Sequence, residues 1–134
     1  MSTIPVPTDS RIVLIDVTRP VADTLAASGL RHGALLVYVP HTTAAVTINE
    51  NADPTVCRDI IMALDRLVPG SLPFAHSEGN SDAHVKATLV GSSVLVPVAD
   101  DRLALGTWQG IFFCEFDGPR QRRLIVQPLP APGE

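Results

Sequence analysis

Polar side chains able to do chemistry flank a predicted strand at residues 44–48. His41, Thr42 and Thr43 precede this strand, and Asn49-Glu50-Asn51 follows it. Asn and Asp side chains often bond their own backbone in turns and at helix starts, and this local role is an open alternative for the Asn51 amide. It explains Asn49 and Glu50 less well, because neither stands at a helix start. Asn49 and Glu50 are therefore candidate catalytic residues.

A second polar stretch runs from His76 to Lys86. His76 and Glu78 are two residues apart, so on an extended backbone their side chains point to the same side. Asp82 is expected to cap a short helix with His84 in its first turn, and a helix N-terminus favours anions. Imidazoles beside carboxylates suit a divalent metal or an acid–base pair. The spacing H-x-E-x5-H matches no standard zinc motif, and a polar loop with surface histidines is the alternative.

The third candidate stretch, Leu105–Gly110, contains the only tryptophan. Thr107 and Gln109 flank Trp108 with uncharged hydrogen-bonding groups, and the glycines on either side allow close backbone approach to a ligand or a simple bend. The chain has no G-x-G-x-x-G, P-loop or G-x-S-x-G pattern, so dinucleotide, P-loop and hydrolase-elbow sites lose their usual support. Cys57 and Cys114 fall in apolar patterns and are interpreted as small core residues.

The elements that position these residues alternate irregularly between strand and helix. β-branched or apolar runs predict strands at 11–17, 34–39, 44–48, 93–98, 110–116 and 122–127, the last two as a hairpin. Helices are predicted from Thr18 to Gly29, from Asp53-Pro54 to Pro69-Gly70, and over 83–90. The strand at 111–116 is apolar on both faces, so both faces should be covered. We therefore predict an α+β fold with six or seven strands and three helices.

Composition narrows the class of protein. A chain of 134 residues, 46% hydrophobic, fits one domain over residues 1–134, with proline-containing tails at 1–10 and 128–134. The net charge of −4 argues against a nucleic-acid binder, and no apolar run is long enough to span a membrane. Two cysteines without a framework predict a cytoplasmic protein. The mean hydropathy of +0.24 suggests that other copies of the chain cover part of the surface, for example around residues 111–116.

Together the three polar stretches resemble the YjbQ family, also called UPF0047 or the secondary thiamine-phosphate synthase family. The resemblance rests on three segments and covers nearly the whole chain, from about residue 11 to residue 127. The segments are His41–Asp53, Glu78–Lys86 with Gly91-Ser92-Ser93, and Leu105–Ile111. The resemblance implies a compact α+β domain that forms a homotrimer. It also implies a weak transferase activity that joins a pyrimidine diphosphate to a thiazole phosphate with release of diphosphate, as a side activity of these proteins.

The leading hypothesis is a cytoplasmic enzyme that acts on a phosphorylated small molecule. The resemblance implies a divalent metal, Zn or Mg, on His41, His76 and His84. The expected catalytic residues are His84, Lys86, Glu50 and Asn49. The expected substrate-binding residues are Asn51, Asp82, Thr107, Trp108 and Gln109, with Trp108 stacking on a flat heterocycle. The alternative is a metal- or ligand-binding homotrimer without a reaction of its own, an accessory or scaffold protein.

Overall fold

The computed structural model describes residues 1–133 as eight strands in two antiparallel sheets with three helices. This confirms the α+β class, and β1 and β6 are strands that the sequence patterns did not predict. In chain order the elements are β1 (Ser2–Pro7), β2 (Val13–Asp16), α1 (Thr18–Ser28), β3 (Gly33–Tyr38), β4 (Ala44–Glu50), α2 (Pro54–Leu67), α3 (Ser81–Val90), β5 (Ser93–Ala99), β6 (Arg102–Leu103), β7 (Gln109–Glu115) and β8 (Gln121–Pro130).

The two sheets pack face to face around the main core. The larger sheet has the order β1-β8-β3-β5-β6 and the smaller one the order β2-β7-β4. Leu35 and Val37 alternate with outward-facing residues along β3, as period-two strands require. They share one buried cluster with Ile111 and Phe113 of β7 and with Leu25 of α1. This core holds β4 in place, with the predicted site residues His41–Thr43 just before the strand and Asn49–Asn51 at its other end.

The second face of β7 packs against the helices. Cys114 and Phe116 form a smaller cluster with Ala83 and Ala87 of α3, and Leu64 of α2 packs against it. Both faces of β7 are therefore covered, as its two-sided apolar pattern predicts. The cover comes from the chain itself, so the expectation that other copies bury this strand is not needed to explain its composition.

The expected tails are largely strand. β1 pairs with β8 from Ser2 to Pro7, and β8 continues to Pro130. The prolines that suggested tails are tolerated because they lie at sheet edges: β1 has β8 as its only neighbour, and the part of β8 beyond Val126 pairs with β3 alone. The predicted hairpin at the end of the chain is also wrong, because β7 and β8 belong to different sheets.

The local sequence predicted the start of α2 correctly and the start of α3 incorrectly. Asp53 caps α2 as predicted, since its carboxylate accepts a hydrogen bond from the Thr55 N–H at 2.9 Å. α3 begins at Ser81 after Asn80, two residues earlier than predicted, and Asp82 is not its cap. The Asp82 carboxylate instead accepts hydrogen bonds from Arg11. None of the helices within residues 1–133 is both long and apolar enough to cross a membrane.

Candidate functional site

The predicted histidines meet at a cavity of about 480 Å³, which we call the histidine pocket. His41 lies just before β4, His76 in the loop between α2 and α3, and His84 in the first turn of α3. The full lining consists of Pro40, His41, Thr42, Thr43, His76, Glu78, His84, Arg120 and Arg122. Three separate segments of the chain thus place imidazole, guanidinium and hydroxyl groups around one opening.

The imidazole rings of His76 and His84 lie against each other in this pocket. Their ring centroids lie 5.6 Å apart with the ring planes almost perpendicular, at 87°. Glu78 lies near His76, with Oε1 3.9 Å from Nε2, but a turn at residues 77–78 brings them together and not the extended backbone expected from the two-residue spacing. That carboxylate is mostly exposed, so water weakens its attraction for the ring.

His41 is held in one tautomer. The Arg123 backbone N–H donates to its Nε2 at 3.0 Å, so in the neutral ring Nδ1 carries the proton. Burial lowers the pKa of His41, and the charge of Arg122 lowers it further. His41 is therefore a neutral hydrogen-bond donor near neutral pH.

Arg122 is the most strongly fixed cation of the pocket. Its Nε and Nη2 donate to the two oxygens of Glu115 at 2.9 and 2.6 Å, and Nη2 also donates to Thr43 Oγ1 at 2.8 Å. Glu115 is fully buried and accepts two further bonds, from the Thr8 hydroxyl and the Asp117 N–H. Burial alone would raise the pKa of Glu115, but these hydrogen bonds and the charge of Arg122 outweigh it and lower the pKa.

One amino group of Arg122 has no hydrogen-bond partner among residues 1–133. Nε and Nη2 make all of its hydrogen bonds to residues 1–133, which leaves Nη1 without an acceptor there. Nη1 keeps contact with solvent, since the one buried side-chain oxygen or nitrogen without a partner in that part of the chain is Asn80 Oδ1. Arg122 lines the histidine pocket, and a guanidinium with a fixed plane and a free amino group suits an oxyanion there.

The described residues do not fit the expected three-histidine metal centre. Within residues 1–133, no group of three His, Cys, Asp or Glu side chains is arranged to hold a metal ion. His41 Nε2 is already used by the Arg123 N–H, and Glu78 is the one carboxylate of the lining. The lining has two guanidinium groups, Arg120 and Arg122, and one carboxylate, Glu78, which favours an anion over a cation.

Lys86 and Asp82 lie in another part of the molecule. Lys86 is two residues beyond His84, which puts it about 200° around α3 and on the opposite side of the helix. It is buried against Asp65, with Asp82 4.0 Å away, and lines a separate cavity with Arg11. The structure therefore does not place these two predicted site residues near the histidines.

The remaining predicted residues, Asn49, Glu50, Asn51, Thr107, Trp108 and Gln109, gather at the far end of β4. Glu50 pairs with Gln109 in the β4–β7 ladder, and the Asn51 N–H donates to the Trp108 carbonyl at 3.0 Å. From Ala44 to Glu50 the strand spans about 20 Å, so this group and the histidine pocket do not share a site within one chain.

Side-chain bonds in this second group are mostly local. The Asn49 side chain accepts from the Glu50 N–H at 2.7 Å, and Gln109 Oε1 accepts from the Gly106 N–H at 2.8 Å. Trp108 is 63% exposed. Gln109 thus closes the turn that begins at Gly106, which matches the bend interpretation of this segment.

Comparison with known proteins gives the family. The family model described as "UPF0047 protein YjbQ-like" matches residues 2–131. The chain belongs to this family. It is 51% identical to UPF0047 protein MJ1081 of Methanocaldococcus jannaschii over 120 residues, covering 90% of this chain and 87% of that one. UPF0047 protein YugU of Bacillus subtilis is 48% identical over 130 residues, covering 96% and 98%.

Solved structures of YjbQ-like proteins share the fold. A YjbQ/UPF0047 protein from Clostridium acetobutylicum superposes with a TM-score of 0.93 at 46% identity, covering 95% of this chain and 98% of that one. The hypothetical protein APE1520 from Aeropyrum pernix gives 0.92 at 41% identity, covering 97% and 98%. The two-sheet architecture around the histidine pocket is therefore that of YjbQ-like proteins.

In this YjbQ-like chain, sequence reasoning missed the two arginines of the pocket. Arg120 and Arg122 follow the turn after β7, and Thr43, which Arg122 contacts, lies 79 residues earlier. One signal was present: nine of the ten basic residues are arginine, the side chain best suited to planar oxyanion recognition. The pairing of β8 with β3 and the bond from the Arg123 N–H to His41 bring this part of the chain to the histidines.

Proposed function

We propose that the histidine pocket binds the phosphate or diphosphate group of a small molecule, and that the chain is a transferase of the thiamine-phosphate synthase type. The observation that carries the proposal is Arg122, which lines the pocket and whose guanidinium is buried, held by Glu115 and Thr43, and left with Nη1 without an acceptor among residues 1–133. Phosphate is a common biological group whose charged oxygens accept strong hydrogen bonds from the N–H groups of such an amino group.

The neighbouring groups support the same ligand. His41 supplies a neutral ring with its proton on Nδ1, and Thr42 adds a hydroxyl to the lining. Arg120 is oriented by bonds from Nε and Nη2 to Asp117, so it is a second guanidinium at the rim. Because Glu115 orders Arg122 before any ligand arrives, less side-chain entropy is lost on binding.

The reaction implied by the family resemblance needs charge stabilisation more than a nucleophile. The thiazole nitrogen forms a bond to the methylene carbon of the pyrimidine, and the carbon–oxygen bond to diphosphate breaks with its electron pair on the leaving oxygen. The role proposed for the pocket is to stabilise that developing charge with Arg122 and the imidazole N–H of His84. No protein nucleophile is required for this displacement.

One observation favours a second candidate, a phosphate-binding homotrimer without a reaction of its own. The groups expected to hold a heterocycle, Trp108 above all, lie at the far end of β4 about 20 Å from the pocket. A single chain thus offers an anion pocket without the predicted stacking group beside it.

Calorimetric titration with inorganic diphosphate tests the proposal. The wild-type chain should bind it, and Arg122→Lys should bind about tenfold more weakly, because a single ammonium group held by Glu115 leaves no second nitrogen to donate to the ligand. Arg123→Lys is the matched control, since the Arg123 side chain is exposed and makes no hydrogen bond within residues 1–133. No binding to wild type, or equal losses in both variants, would overturn the pocket assignment.

A synthase assay separates the two candidates. For the enzyme, His84→Ala should lower turnover by orders of magnitude and leave the circular dichroism spectrum unchanged. Diphosphate binding by wild type with no formation of thiamine phosphate identifies the non-catalytic binder instead.

A further inference from the structure

Asp117 is a largely buried carboxylate beside the histidine pocket that does not itself line the pocket. It lies in the turn between β7 and β8, and its side chain is 14% exposed. Its Oδ2 accepts a hydrogen bond from Arg120 Nη2 at 3.1 Å, and its backbone carbonyl accepts one from Arg120 Nε at 2.8 Å. These two bonds hold the plane of the Arg120 guanidinium at the rim of the pocket.

The same carboxylate oxygen binds the segment that carries His84. Asn80 Nδ2 donates to Asp117 Oδ2 at 2.8 Å, across 37 residues of sequence. The Asn80 carbonyl in turn accepts hydrogen bonds from the Ala83 and His84 N–H groups, at 3.0 and 3.4 Å, in the first turn of α3. A displacement of Asn80 would therefore move the backbone of His84, and Asp117 is the group that holds the Asn80 side chain.

The Asn80 side chain does not make the local bond that its position favours. An asparagine just before a helix usually caps it, with the side-chain oxygen accepting from an N–H of the first turn. Asn80 makes no such bond to α3, and its Oδ1 is buried without a hydrogen-bond partner among residues 1–133. A buried acceptor without a partner costs free energy, and such departures from local preference are expected at functional sites. The contact with Asp117 explains the conformation of Asn80, and helix capping does not.

Asp117 also contacts the group that holds Arg122. The Asp117 backbone N–H donates to Glu115 Oε2 at 3.1 Å, and the same oxygen accepts from Arg122 Nη2 at 2.6 Å. The start of α3 and the turn after β7 are thus joined at one residue, so two separate segments of the pocket lining are held together there.

We propose that Asp117 is a positioning residue of the histidine pocket: its carboxylate holds Arg120 directly, and His84 through Asn80, in the arrangement that binds the anion. The inference rests on the proposed function and adds to it a residue that acts only through other side chains. A positioning role predicts the opposite sign from a charge effect. Removing a carboxylate near an anion site would, by charge alone, strengthen the binding of an anion. Loss of a positioning group weakens binding, because the groups that it held lose more conformational freedom when the ligand binds.

Calorimetric titration with inorganic diphosphate measures that sign. Asp117→Ala keeps the backbone bonds of the turn and should bind diphosphate about fivefold more weakly than wild type, which is the cost of ordering about one long side chain. Asp101→Asn is the matched control, because it neutralises another Arg–Asp pair, an exposed one with Arg31 at 3.0 Å outside the pocket lining. The control should keep the wild-type affinity. An affinity of Asp117→Ala equal to or above that of wild type would overturn the positioning role.

Histidine ring NMR of the free protein tests the link to α3 without any ligand. Asn80→Ala removes the bond to Asp117, so it should shift the ring signals of His84 and leave those of His32 in place. It should also weaken diphosphate binding, as Asp117→Ala does. Ser81→Ala is the matched control at the next residue, since the Ser81 hydroxyl makes no hydrogen bond within residues 1–133, and it should leave both rings unchanged.

The outcomes distinguish this inference from the proposed function. Unmoved His84 signals in Asn80→Ala, or wild-type diphosphate affinity in that variant, overturn the positioning role and leave the anion pocket standing. Failure of inorganic diphosphate to bind to wild type overturns the proposed function, and this inference with it.

Discussion

Replacing Arg122 by methionine should destabilise the fold through one identifiable group, the Glu115 carboxylate. The pair is joined at 2.6 and 2.9 Å, and the side chains are 6% and 0% exposed. Methionine keeps much of the side-chain volume but leaves the carboxylate buried without its cation. Removing one partner of such a pair costs about 3–5 kcal/mol of unfolding free energy.

If the unpaired Glu115 carboxylate causes this loss, the unfolding free energy of the variant should depend on pH in a characteristic way. In the wild type the folded-state pKa of Glu115 lies below its ordinary value of 4.5, so the pair stabilises the fold above that pH, and the stabilisation is lost as the pH falls through the folded-state pKa. In Arg122→Met burial acts without the cation, and the folded-state pKa should rise above the unfolded one. The variant should then regain stability as the pH falls from about 7 to about 5, by about 1.4 kcal/mol for each unit of upward shift.

Urea unfolding at both pH values measures these quantities, with Arg123→Met as the control at the neighbouring exposed arginine. The control should stay within about 0.5 kcal/mol of wild type. The double variant Arg122→Met/Glu115→Leu should recover most of the loss, because it removes the buried charge as well as its partner. A loss below about 1 kcal/mol in Arg122→Met, or a double variant no more stable than the single one, would refute the argument.

Three further outcomes follow from other parts of the fold. Lys86→Met should cost about 1–3 kcal/mol in urea unfolding, since Arg11 still pairs with Asp82, and should leave diphosphate affinity unchanged; weaker diphosphate binding would contradict the separate position of Lys86. Gly110→Ala should cost about 1–3 kcal/mol in the same assay, because its Cβ would lie 2.6–2.9 Å from the Asn51 side chain, and wild-type stability would show that no clash occurs. Burial raises the pKa of Cys114 to about 12, so iodoacetamide should label it only after unfolding, and modification in the native state would contradict that burial.

Local patterns predicted the elements whose signals lie within a few residues. Asp53-Pro54 marked the start of α2, and the apolar run of β7 indicated a strand covered on both faces. β1 was missed because Pro5 and Pro7 argue against a sheet interior, and nothing local reveals that this strand is an edge. Asp82 was taken as a helix cap because its competing partner, Arg11, lies 71 residues away.

The candidate site likewise has one part that local sequence predicts and another that depends on distant parts of the chain. His76, Glu78 and His84 are near in sequence, so they were predicted together, although a turn at residues 77–78 and a helix start at Ser81 bring them together in place of the expected extended segment and Asp82 cap. Arg122 joins them through sheet pairing over a long sequence separation, which no motif reports. The position of Lys86 was predictable in principle, since a residue two places from His84 on a helix faces away from it.

Ring-nitrogen NMR of the histidines during titration with inorganic diphosphate tests the anion pocket most directly. The chain has four histidines, and His32, at the opposite end of β3 from His41, is an internal control. We predict that the signals of His41, His76 and His84 shift along one common binding curve while that of His32 stays in place. Absence of any shift, or equal shifts of all four rings, would contradict a phosphate site in the histidine pocket.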